Sequence, residues 1–152
     1  MKKTVLFSIL LAIILIGCSK NNDVSCTYGV DALKGKLYRL QSETIDSAGV
    51  RYSSRIFNDS IQYSYSFSEG SSGLLIVKYI YSGQAPTEYT KNIDYTVLTG
   101  SSDLEIVEWN SSVSKNTYLF KVESFDCNKM VLYAKFNYLN TLFERRQTFV
   151  KQ

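Results

Sequence analysis

Ser60-Ile61-Gln62-Tyr63-Ser64-Tyr65-Ser66-Phe67-Ser68 alternates without a break: Ile61, Tyr63, Tyr65 and Phe67 occupy every second position, with Gln62, Ser64, Ser66 and Ser68 between them. A period of two gives a strand one apolar and one polar face, as a sheet buried on one side requires. The stretch stops at Glu69-Gly70-Ser71-Ser72-Gly73, a cluster of turn formers.

The same punctuation recurs in both directions. Upstream, segment 36–44 runs into Asp46-Ser47-Ala48-Gly49, and segment 50–57 into Asn58-Asp59. Downstream, 74–81 is apolar on both faces apart from Lys78, which reads as a central or ligand-lining strand, and 83–86 is a turn. Further strands are expected over 88–98, 104–109, 117–124, 129–138 and 142–151, separated by Gly100-Ser101-Ser102-Asp103, the polar loop 110–116 and a turn around Asp126-Cys127-Asn128. A helical turn is expected over 30–33, stopped by Gly35. Eight or nine short strands joined by short turns predict an all-β domain of antiparallel meander connections. The expected architecture is an up-and-down barrel of about eight strands, with a β-sandwich as the alternative.

The chain of 152 residues begins with Lys2 and Lys3 and an apolar run over 5–16, broken only by Ser8. That run is short of the ~20 residues of a membrane-spanning helix, so it reads as a signal peptide. It ends in Leu15-Ile16-Gly17-Cys18, which resembles the lipobox of bacterial lipoproteins. The resemblance implies cleavage after Gly17 and a diacylglyceryl group and N-acyl chain on Cys18, the only covalent group expected. Two or more acyl chains hold a protein stably where one does not. Ser19 follows the Cys where an inner-membrane retention signal would favour Asp, so the resemblance implies a cell-envelope protein bound to the outer membrane.

Cleavage leaves residues 18–152 with a formal charge of +1, against +3 for the full chain. No nucleic-acid partner is implied by so small an excess. Residues 18–32 read as lipidated Cys, polar tether and helical turn, and 33–152 as the barrel domain. With Cys18 committed to lipid, Cys26 and Cys127 remain. An even pair in an exported chain reads as a disulfide, with two unpaired thiols as the alternative.

The whole organisation resembles the small lipocalin-like, calycin-type lipoproteins of Gram-negative bacteria. The likeness is carried by Leu33-Lys34-Gly35-Lys36-Leu37-Tyr38-Arg39-Leu40 at the start and Thr148-Phe149-Val150-Lys151 at the end. It departs at Leu37, where such barrels usually carry Trp packed under a late-strand Arg; Arg145 or Arg146 stands ready without that aromatic partner.

The chain has no His, which removes Ser-His-Asp triads, His-assisted Cys nucleophiles and His-ligated metal sites. Ser112-Val113-Ser114-Lys115 fits S-x-x-K but sits in a polar loop rather than at a helix start. Glu105 and Glu108 are offset by three in a strand and so fall on opposite faces; one exposed acid and one salt-bridge partner are expected. No catalytic residue, metal site or cofactor is assigned, and an enzyme is not expected. Asp46-Ser47-Ala48 and Asp59-Ser60-Ile61 resemble short O-glycosylation acceptors, at Ser47 and Ser60.

The clue to function is aromatic: 12 Tyr, 8 Phe and 1 Trp. If the 60–68 strand faces inward, Tyr63, Tyr65 and Phe67, with Leu75, Val77, Tyr79 and Tyr81 on its neighbour, line the barrel and take a small apolar or amphipathic ligand. The competing reading fills the same barrel with core side chains and makes the protein a surface accessory that contacts an envelope protein or glycan.

Overall fold

The computed structural model describes residues 26–57, 60–98 and 100–152. The lipobox, Cys18 and Asp59 lie outside the described residues. A single turn of helix, α1 (Val30–Leu33), precedes nine strands: β1 (Lys36–Ser47), β2 (Val50–Ile56), β3 (Ile61–Phe67), β4 (Ser72–Tyr79), β5 (Thr87–Val97), β6 (Asp103–Trp109), β7 (Lys115–Asp126), β8 (Lys129–Tyr138) and β9 (Thr141–Lys151). Each pairs antiparallel with its neighbour, and β1 pairs with β9, so the sheet closes on itself. Closure decides for the barrel and against the sandwich.

Nine strands make an eight-stranded barrel because β2 and β3 share one flank of β1. β3 pairs with residues 36–39 and β2 with residues 42–47. They are one barrel strand interrupted over 57–60. The backbone N–H of Phe57 bridges the interruption by donating to the Gln41 carbonyl at 2.9 Å. Gln41 is itself the extra residue of a bulge: Leu40 pairs with Phe149 but Ser42 with Thr148. A bulge shifts the side-chain phase, so the inward series on β1 runs Tyr38, Leu40, Glu43. A second bulge at Glu123 does the same on β7.

The two ends of the barrel differ. α1 lies across one end, with Leu33 fully buried among Tyr38, Phe67, Tyr95, Leu104, Met130 and Phe149. Lys34 follows the helical turn, and Gly35, at φ +64°, takes the left-handed conformation that carries the chain into β1. Aromatic edges close the packing: Phe67 meets Tyr95 at 4.8 Å and Tyr38 at 6.1 Å between ring centroids. Gly73 lets β4 approach β3, since a Cβ there would stand 2.2 Å from the Ser66 carbonyl oxygen.

The N-terminal arm is stapled to this end. Cys26 and Cys127 form a disulfide with Cα atoms 5.4 Å apart. Tyr28 packs edge-on against Phe125 at 5.4 Å and donates to the Asp103 carbonyl at 3.4 Å. The segment read as a polar tether therefore meets the barrel from Cys26 onward. No helix among the described residues is long and apolar enough to cross a membrane.

Candidate functional site: a cavity in the open half of the barrel

An eight-stranded barrel is just wide enough to be filled by side chains or to hold one small ligand. Here the closed half is filled, and above it lies a cavity of about 360 Å³. At about 30 Å³ for each water-sized group, that is room for on the order of a dozen non-hydrogen atoms. Its floor and apolar walls come from Leu40, Leu75, Val77, Phe57, Phe120 and Phe149. Tyr63, Tyr65 and Tyr118 add rings with polar tips, while Glu43, Arg55, Lys91, Glu108, Arg145 and Gln147 bring polar and charged groups.

Four of the residues singled out in the sequence meet at this cavity: Tyr63 and Tyr65 from β3, Leu75 and Val77 from β4. The other three lie elsewhere. Phe67 is part of the closed-end core, 1% exposed, because it sits one pleat below Tyr65 and meets α1's layer. Tyr79 stands at the end of β4, stacked 6.3 Å from Tyr81 and edge-on to Tyr89 at 5.9 Å. β4 ends at Tyr79, so Tyr81 falls in the turn beyond it and is 55% exposed. The strand expected over 74–81 begins and ends two residues earlier than its apolar run suggests.

Of the cavity's charged groups Arg55 and Lys91 are exposed, and the others form two sets on opposite walls. On the β1–β9 wall, Gln147 Nε2 donates to Glu43 Oε2 at 2.9 Å, and Arg145 Nε lies 3.5 Å from the same oxygen. The Arg145 guanidinium also rests 4.8 Å from the centroid of Phe136. Gln147 Oε1 is buried and accepts no hydrogen bond. On the far wall, Glu108 follows Leu104 and Ile106 on the inward face of β6 and is 8% exposed. The hydroxyl of Tyr65 donates to its Oε1 at 3.0 Å.

Glu105 and Glu108 do fall on opposite faces, but Glu108 is not the salt-bridge partner expected; a phenol from β3 satisfies it instead. Burial, then the neighbouring Glu108 charge, pushes the Tyr65 phenol well above the ordinary tyrosine value. Tyr118 is raised for the same two reasons in the same order. Both rings therefore stay protonated donors. Burial and the adjacent Tyr79 hydroxyl likewise raise Tyr63.

Glu108 was expected as an exposed acid or salt-bridge partner, although its alternation with Leu104 and Ile106 on one face of a strand carried the signal for an inward position. Glu43 gave no such signal: period two carried on from Tyr38 and Leu40 puts it outside, and only the bulge at Gln41 turns it in. Ser112-Val113-Ser114 lies in the β6–β7 hairpin loop, with Val113 at 92% exposure, and Lys115 opens β7, so the stretch builds no helix. Ser47 closes β1, its hydroxyl donating to the Leu142 carbonyl at 3.2 Å. Among the described residues no cluster of three His, Cys, Asp or Glu is placed to hold a metal ion.

No family model matches the chain, and no curated protein matches it. Among solved structures it is similar to lobster apocrustacyanin A1, at 15% identity and a TM-score of 0.45, over 80% of this chain and 61% of that one. The chain thus spans less than two thirds of that structure's length. It is also similar to japanin from Rhipicephalus appendiculatus bound to cholesterol, at 10% identity and a TM-score of 0.45, over 78% of this chain and 76% of that one.

Proposed function

We propose that this chain is a binding protein of the cell envelope, held by lipid on Cys18, whose barrel takes up one small amphipathic ligand. The observation that carries the reading is the cavity itself: about 360 Å³ inside a closed barrel, lined by apolar side chains and a few polar and charged groups. Ligand sites are concave, largely apolar and equipped with a few convergent polar groups. A filled barrel acting only through its surface would leave no such space, and the charged groups of Glu43, Arg145 and Glu108 would have no reason to line it. The lipid anchor is supported by the lipobox, and the role of a carrier rather than a catalyst by the inventory of inward side chains.

Native mass spectrometry of the protein from its own host tests the reading. A reproducible non-covalent adduct of small mass, beyond the covalent lipid, is expected. A barrel that arrives empty and then binds none of a broad panel of small amphiphiles overturns it.

A further inference from the structure

The structure assigns a charge to the ligand's head group: we propose that the cavity takes an organic cation, a small amphiphile whose protonated amine sits against the Glu108 carboxylate. This rests on the reading of the barrel as a binding protein.

Glu108 is a buried carboxylate with one neutral partner, the Tyr65 hydroxyl at 3.0 Å. No Lys or Arg among the described residues forms an ion pair with it. The cations that line the cavity are engaged elsewhere. Arg145 faces Glu43 at 3.5 Å and stacks on Phe136. Lys91 donates to Asn110 at 2.9 Å, and Arg55 lies 5.8 Å from the centroid of Phe57. Arg55 and Lys91 are exposed, and Glu43 faces Arg145, so Glu108 is the buried carboxylate of the lining without an ion-pair partner. A buried charge without a counter-charge is costly, and an ammonium supplies one through a charge-assisted hydrogen bond.

The surroundings suit an ammonium in two further ways. Tyr65, Tyr118 and Phe120 line the cavity with it, and aromatic faces attract cations. Across the cavity, Gln147 Oε1 is a buried acceptor without a donor, ready for an N–H. The unbonded donor on that wall, Arg145 Nε, already faces the Glu43 carboxylate and so does not call for an anion.

The test uses matched probes that differ only at the head: octylamine, octanol and octanoate, with a parallel phenylethyl set, titrated calorimetrically into the purified protein at neutral pH. The amine is expected to bind about tenfold or more tighter than the alcohol, within the range of a hydrogen bond to a charged group. Glu108→Gln, which keeps an acceptor for Tyr65, is expected to abolish that advantage, read as the ratio of amine to alcohol affinity within the variant. Tyr65→Phe keeps the carboxylate and is expected to keep the preference. Equal binding of amine and alcohol, or preference for octanoate, overturns the cation assignment while the binding reading stands. Failure of all the probes together overturns both. Should Glu108→Gln not fold, the ranking on the unaltered protein still decides.

Discussion

The Tyr65 hydroxyl and the Glu108 carboxylate meet at 3.0 Å inside the barrel, joining β3 to β6 across strands that are not neighbours in the sheet. Tyr65→Phe alone strips a buried carboxylate of its donor and is expected to cost about 1–3 kcal/mol. Replacing both partners, with Tyr65→Phe and Glu108→Leu, removes the need along with the donor and should recover most of that loss. Urea midpoints of the two single variants and the double variant measure the coupling; strict additivity would show that the contact carries no weight.

Gly73 is fixed by backbone rather than by side chains. Its missing Cβ would fall 2.2 Å from the Ser66 carbonyl oxygen, so Gly73→Ala must push β3 and β4 apart. A loss of about 1–3 kcal/mol or more is expected from such overpacking. Gly29, extended at φ 172° with nothing within 4 Å of the added atom, is the control. Gly29→Ala should stay within about 0.5 kcal/mol.

The Cys26–Cys127 disulfide closes a loop of 101 residues. On the chain-entropy account a loop of that size contributes roughly 4.7 kcal/mol. Denaturant unfolding with and without reductant, or of the Cys26→Ala/Cys127→Ala variant, should show a large fall in midpoint. An unchanged midpoint would mean that the unfolded chain is confined by other means.

Tyrosines set the alkaline limit. Tyr28, Tyr38, Tyr63, Tyr65, Tyr95 and Tyr118 are all raised above the ordinary value, burial being the main cause in each. Each is an acid held neutral by folding, so the stability linked to it is complete below the unfolded value of about 10 and is lost as pH rises beyond. Stability should therefore drop above about pH 10, with tyrosinate absorbance rising in step with unfolding. A tyrosinate signal from these residues that develops fully while the fold persists would contradict the assignment.

Much of this was legible in the sequence for one physical reason: period two reports a face, and turn formers report where it ends. The β3 alternation placed Tyr63 and Tyr65 on the cavity side, and the helical turn over 30–33 and the strand over 129–138 match α1 and β8. The ends of β4 were not legible because Leu74, Leu75, Ile76 and Val77 are apolar in succession and leave no phase to read. The bulge at Gln41 was hidden for a different reason. An extra residue in a ladder carries no composition of its own, yet it turns Glu43 inward and so supplies one of the cavity's two carboxylates.

The staple at Cys26 has a directional meaning as well as an energetic one. It holds the N-terminal arm at the end plugged by α1, whereas the cavity lies toward the end formed by the β1–β2, β4–β5 and β8–β9 turns. With lipid on Cys18 as proposed, only the residues between 18 and 26 separate bilayer from barrel, a reach of at most ~29 Å when fully extended. The bilayer would then face the plugged end and the mouth would look outward. Under that proposal cargo would be exchanged with the aqueous side rather than drawn from the membrane beneath, and the protein would stand like a cup on its base.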